Sequence, residues 1–191
     1  MVTDYDFSQI LSGSKEGDVD SLAQLWKWFN PMLVKYLAVV APTLADDISQ
    51  DVWISVSRSV KGFEGTSNSF RNYLLTVAKN KVTDYRRAGI RGSRLISRIE
   101  TQVDTISNDS LEIDRIGDGE LIQVLQRFLP PALAEVVFMR YLIGMSVDEV
   151  AVVIGRSPEN VRVISHRGLS RLRELYGARV PGVVAMVGEP Q

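Results

Sequence analysis

With 191 residues, 45% of them apolar, the chain has material for one core or for two small ones. It holds no cysteine and a single histidine, His166, which excludes disulfides, thiolate metal sites, thiol redox sensing and a zinc centre built by imidazole. The charges nearly cancel, 22 basic against 23 acidic for a formal net of −1, but they are segregated, and the local field rather than the net charge governs attraction to phosphate.

No stretch reaches the roughly 20 apolar residues that cross a bilayer. Asp4 and Asp6 stand where a secretory leader would carry basic residues, so the expectation is a cytoplasmic protein without membrane insertion. Leu22, Leu25, Trp26 and Phe29 then recur at helical spacing behind Asp18, a capping residue, until Asn30-Pro31 punctuates the pattern. A further helix through Met32, Leu33, Tyr36 and Leu37 ends before Pro42. From Leu44 on, Ile48, Val52, Val56 and Val60 repeat every four residues and form one buried stripe. Asp46, Asp47, Gln50 and Asp51 are thereby left on an exposed acidic face. Carboxylates near a helix N-terminus are also favourable by themselves.

Two glycines and small polar residues make a loop of the stretch 61–70, near whose end, at about Ser69, helix resumes. Phe70, Tyr73, Leu74, Val77, Val82 and Tyr85 trace its mainly apolar side. Asn72, Lys79, Asn80, Thr83, Arg86 and Arg87 gather on the other. Basic groups for phosphates, amides for base edges and nearby rings suit single-stranded nucleic acid, where stacking is worth about 1–3 kcal/mol per base. That is comparable with the few kcal/mol needed to flip a base out of a duplex. The same rings also serve as core, which suffices for Tyr73 and Leu74.

A basic block, Arg71 through Arg98, gives way at Glu100 to an acidic segment reaching Glu120. Between about Gly89 and Gly117 no long periodic segment survives, which reads as an extended tether between two modules. Leu121, Val124, Leu125 and Phe128 open the second module on one helical face. Pro130-Pro131 start a further helix, which Gly144 ends. Ser146 and Glu149 make a capping box, Gly155 permits a sharp turn, and Ser157-Pro158 start the last helix. Two helices at such a turn are a helix-turn-helix unit. On the last helix Val161, Ile164, Gly168 and Leu172 face the core, while Arg162, Val163, His166, Arg167 and Ser170 face outward, with arginines able to fork onto guanine or phosphate.

Residues 45–53 (ADDISQDVW), the run Phe70 to Arg87, and residues 129–175 with their motifs at Leu129-Pro130-Pro131, Gly144 to Ala151, Val161-Arg162 and His166-Arg167, taken in this order, resemble an extracytoplasmic-function (ECF) sigma factor of the sigma-70 family. The resemblance spans about residues 10 to 176. It implies an all-α fold of two small helical domains, a region 2 bundle and a region 4 helix-turn-helix, joined by a flexible linker: 1–95 for region 2, 96–117 for the linker, 118–178 for region 4 and 179–191 for a tail. It further implies that Asp46, Asp47, Gln50, Asp51 and Trp53 bind the clamp helices of the largest subunit of RNA polymerase core. Phe63, Asn68, Asn80 and Arg87 would capture flipped bases of the minus-ten element, with Lys79 and Arg86 on its backbone. Arg162, Val163, His166 and Arg167 would read the minus-thirty-five element. Implied partners are polymerase core, including its beta flap, promoter DNA and an anti-sigma factor.

Val163 and Ser165 depart from the usual polar and apolar residues of the motif, and Gly168 stands where alanine is common, at a helix cost of up to about 1 kcal/mol. The function expected is that of an alternative sigma factor, without enzymatic activity and without cofactor. The alternative is a helix-turn-helix regulator that acts on duplex DNA without polymerase. A nucleic-acid enzyme is disfavoured, since no phosphate-cradling glycine loop occurs and Asp46, Asp47 and Asp51 lack partners for Mg²⁺.

Overall fold

In the computed structural model, which describes residues 3–93 and 118–176, all the regular structure is helical. Helix α1, Asp4–Glu16, is capped by Thr3, whose hydroxyl accepts the Asp6 N–H at 3.1 Å. It buries Phe7 and Leu11, one turn apart, and ends at Gly17, whose φ of 88° lies in the left-handed region. The sequence reading contains no such helix, because two apolar positions among polar ones make a weak period.

Asp18 caps α2, Val19–Val40, by accepting the Ser21 N–H at 2.9 Å. The helix continues through Asn30-Pro31, which corrects the break read there. Proline inside a helix costs about 3 kcal/mol, whereas each fully buried large apolar side chain returns about 1.5–3 kcal/mol. Leu25, Phe29, Leu33, Tyr36, Leu37 and Val40 form one continuous buried stripe across the proline, so burial wins. The Pro31 ring itself is exposed.

After a short turn at Pro42–Leu44, α3 (Ala45–Ser59) carries the four-residue repeat: Ile48, Val52, Val56 and, just past its end, Val60 are all fully buried. Helix α4, Ser67–Ser93, starts at Thr66, whose hydroxyl accepts the Ser69 N–H at 3.3 Å. Phe70 anchors it in a ring cluster with Phe29, Phe63 and Phe7 at centroid distances of 4.9, 5.3 and 5.6 Å. The helix passes Gly89, where the sequence reading begins the tether, and persists to Ser93. The rest of the tether, 94–117, and the tail from 177 lie outside the described residues.

The second module comprises α5 (Asp118–Phe128), α6 (Pro131–Val137) with a π-helical continuation over Phe138–Leu142, α7 (Val147–Ile154) and α8 (Pro158–Tyr176). Gly144, at φ 77°, ends the continuation of α6. Both halves of the Ser146–Glu149 capping box are formed. Gly155, at φ 63°, makes the turn between α7 and α8. Gly168 is explained by packing: a Cβ there would stand 2.5 Å from Cγ2 of buried Val137, so α8 lies directly on α6.

The modules are in direct contact, a feature the tethered reading does not contain. Tyr36 of α2 faces Phe138 with ring centroids 6.4 Å apart, and α4 lies along α7.

Candidate nucleic-acid interface

On α8, burial of Val161, Ser165, Gly168 and Leu172 turns Arg162, Val163, His166 and Arg167 to solvent. Arg162 keeps a side chain 60% exposed and pairs only loosely with Glu159, at 3.6 Å. Val163 is an exposed apolar group on a polar face, suited to a thymine methyl. Ser165 is buried and its hydroxyl finds no partner, so the departure from an apolar residue at this position leaves a polar atom unsatisfied inside the module.

Arg156, in the turn before this helix, and Asn160, in its first turn, both absent from the sequence reading, are also exposed. The Asn160 N–H is held by the Ser157 hydroxyl at 3.3 Å. The signal that would have found them is position, because a recognition helix presents its N-terminal residues to base edges.

On α4 and the loop before it, Asn68, Asn80, Arg86 and Arg87 are exposed, while Phe63 and Lys79 are half-buried. The Phe63 ring meets Phe70 edge-on and tilts over Tyr73 at 5.4 Å, so part of it belongs to the core. Arg86 donates to the Val40 carbonyl at 2.6 Å. The Lys79 ammonium sits 2.9 and 3.1 Å from the two carboxylate oxygens of Glu135 on α6. About two turns earlier, Arg71 and Asn72 donate to Glu149 of α7 at 2.7 and 3.0 Å. The α4 face read as nucleic-acid binding is therefore open at Asn80 and Arg87 and covered by the second module at Asn72 and Lys79.

Several groups are electrostatically tuned by these contacts. Burial of Glu149 opposes its charge, but hydrogen bonds from Ser146 and Asn72 and the charge of Arg71 prevail and hold its carboxyl below the usual value of 4.5. Burial, then the neighbouring Glu135 carboxylate, raises the Tyr36 phenol well above 10, and its hydroxyl donates to Glu135 at 2.7 Å.

On α3 the acidic face is real for Asp46, Asp47 and Gln50, which are exposed. Asp51 is half-buried and accepts the Tyr85 hydroxyl at 3.0 Å, a bond that raises the Tyr85 phenol. Trp53 is a strut between helices: its indole N–H and the Ser49 hydroxyl both donate to Oδ1 of Asn30, each at 3.0 Å. Among the described residues no helix is long and apolar enough to cross a membrane, and no three potential metal ligands converge.

Residues 31–91 match the family model Sigma-70 region 2, and residues 127–174 match Sigma-70, region 4. The chain is 30% identical over 168 residues to the RNA polymerase sigma factor CarQ of Myxococcus xanthus, covering 85% of this chain and 93% of that one. It is 27% identical over 171 residues to the ECF RNA polymerase sigma factor ShbA of Streptomyces griseus subsp. griseus, covering 84% and 90%. Among solved structures it shares its fold with the sigma factor RpoE of Bartonella quintana, crystallised with the anti-sigma factor NepR, at a TM-score of 0.66 and 18% identity, covering 84% of this chain and 99% of that one.

Proposed function

This chain belongs to the sigma-70 family as an ECF sigma factor, an alternative sigma factor of RNA polymerase, and from that premise we propose how its residues share the work. The first module, residues 1–95, meets polymerase core through the α3 face of Asp46, Asp47 and Gln50. Asp51 and Trp53 contribute by fixing that face against α4 and α2, through Tyr85 and Asn30. Asn68, Asn80 and Arg87, with the free edge of Phe63, take bases of the opened minus-ten strand. Lys79 and Arg86 take its phosphates, once Lys79 is released from Glu135.

The second module, 118–178, lays α8 in the major groove upstream, with Arg162, Val163, His166 and Arg167 at the bases and with the beta flap of polymerase as its protein partner. The observation that carries this reading is that two separate sets of exposed basic and amide side chains, on α4 and on α8, sit on elements matched to regions 2 and 4. A strand-capturing face and a groove-reading helix on one chain fit an initiation factor better than an operator-binding regulator, which needs only the second. The solved complex of RpoE with NepR supports a partner of the anti-sigma class for this chain too.

The test is binding of the fluorescently labelled chain to polymerase core, beside gel-shift assays on promoter duplex with and without core. The expected result is a stable complex with core and duplex binding that depends on it. Tight duplex binding without core, and no complex with core, would move the chain to the regulator class.

A further inference from the structure

Two carboxylates, Glu135 and Glu149, bridge the modules. Glu149 divides its oxygens: Oε2 accepts its own module's Ser146 N–H at 2.7 Å, completing the α7 cap, while Oε1 takes Arg71 and Asn72. Glu135 receives the Tyr36 hydroxyl and both bonds from Lys79. Toward the first module Glu135 thus offers both oxygens, to Lys79 and Tyr36, and Glu149 one, to Arg71 and Asn72, so that each meets a cation and a neutral donor. A cation beside a neutral donor is a pairing that also takes phosphodiester oxygens. Beside Glu135 an open cleft lined by Val40, Lys79, Thr83, Arg86 and Pro130 prolongs the basic strip along α4.

We infer that Glu135 and Glu149 are internal stand-ins for strand phosphates, so that closure of the two modules and binding of the opened strand on α4 exclude one another. The strand-binding half of this inference rests on the function proposed above.

Energetics favour a reversible device. The four charged side chains keep only 15–27% of their surface, so breaking a pair one-sidedly is costly, whereas the intact pair gains little over two solvated ions. A polyanion that supplies new partners to Arg71 and Lys79 together avoids the one-sided cost. A protein closed most of the time binds more weakly by the fraction of time it is open.

The experiment uses the full chain with Glu135→Gln and Glu149→Gln together. Glutamine at position 149 preserves the capping box, so α7 keeps its start. Because the chain lacks cysteine, dyes can be placed through Ser12→Cys and Glu174→Cys, both exposed and one in each module. Energy transfer reports closure, and a labelled oligothymidylate strand reports binding. The double variant is expected to lose transfer and to bind the strand about tenfold more tightly. Lys79→Met should lose transfer as well yet gain no affinity, because it removes a phosphate donor instead of its competitor.

A variant that stays closed, or one that opens and binds like the parent, overturns the inference while leaving strand capture intact. Opening without strand binding by any form overturns strand capture as well. The parent, whose folding is not in question, gives a second reading: molar salt should lower its energy transfer, and salt-independent transfer would overturn the inference.

Discussion

Replacing Gly168 by alanine tests what holds the reading helix in place. In an isolated helix the change is favourable by about 1 kcal/mol. Here the new Cβ would lie 2.5 Å from Val137 Cγ2, about an ångström or more inside the usual carbon–carbon separation of about 3.5–4.0 Å. Val137 is fully buried and β-branched, so its methyl cannot swing aside without a strained rotamer. Overpacking of this kind costs about 1–3 kcal/mol, which, set against the gain of about 1 kcal/mol, leaves Gly168→Ala a net effect between neutral and about 2 kcal/mol destabilising. Urea unfolding of the second module, followed by far-ultraviolet circular dichroism, measures it. Val137→Ala removes the obstructing methyl, so in that background Gly168→Ala should turn neutral or stabilising. A stabilising effect of Gly168→Ala in the parent, or no coupling to Val137, would refute the close-approach argument.

Arg162→Ala and Arg167→Ala should each weaken upstream-element recognition by about 1–3 kcal/mol where the guanidinium reads a base. An unchanged promoter profile removes that residue from the reading face. Asn80→Ala should change which downstream sequences are used in core-dependent transcription, and indifference there contradicts its role in base capture. The carboxyl of Glu149 titrates below its usual 4.5 in the folded chain, so its contribution to stability is present above that value and lost as pH falls through the folded one. Melting temperatures of the parent and of Glu149→Gln should therefore differ at neutral pH and converge in acid, and a gap independent of pH contradicts the charge-based clasp.

Local features were legible wherever one period or one cap decided the structure. The stripe Ile48, Val52, Val56 and Val60 and the Ser146–Glu149 box follow from spacing alone, and both occur as read. Pro31 misled the reading because a local breaker was weighed without the buried stripe that continues on either side of it. Close helix packing accounts for the cost at Gly168, but the partner, Val137, is distant in sequence and no spacing names it.

The pairs that join the modules were invisible for the same reason. Glu135 meets Tyr36 and Lys79, and Glu149 meets Arg71, from opposite ends of the chain, and no periodicity announces which carboxylate leaves the solvated surface. Of the interface residues, those on α8 could be assigned to a face from the apolar positions around them. Phe63, Asp51 and Trp53 could not, because their partial burial is set by Phe70, Tyr85 and Asn30.

The most direct measurement of the central claim is run-off transcription from a genomic promoter library by polymerase core with and without the purified chain, with every transcript start sequenced. The account predicts new starts that appear only with the chain and share two short elements at fixed separation. Selection at the upstream element should be altered by Arg167→Ala, and selection at the downstream one by Asn80→Ala. Starts identical to those of core alone, or new starts with a single element that neither substitution affects, would contradict it.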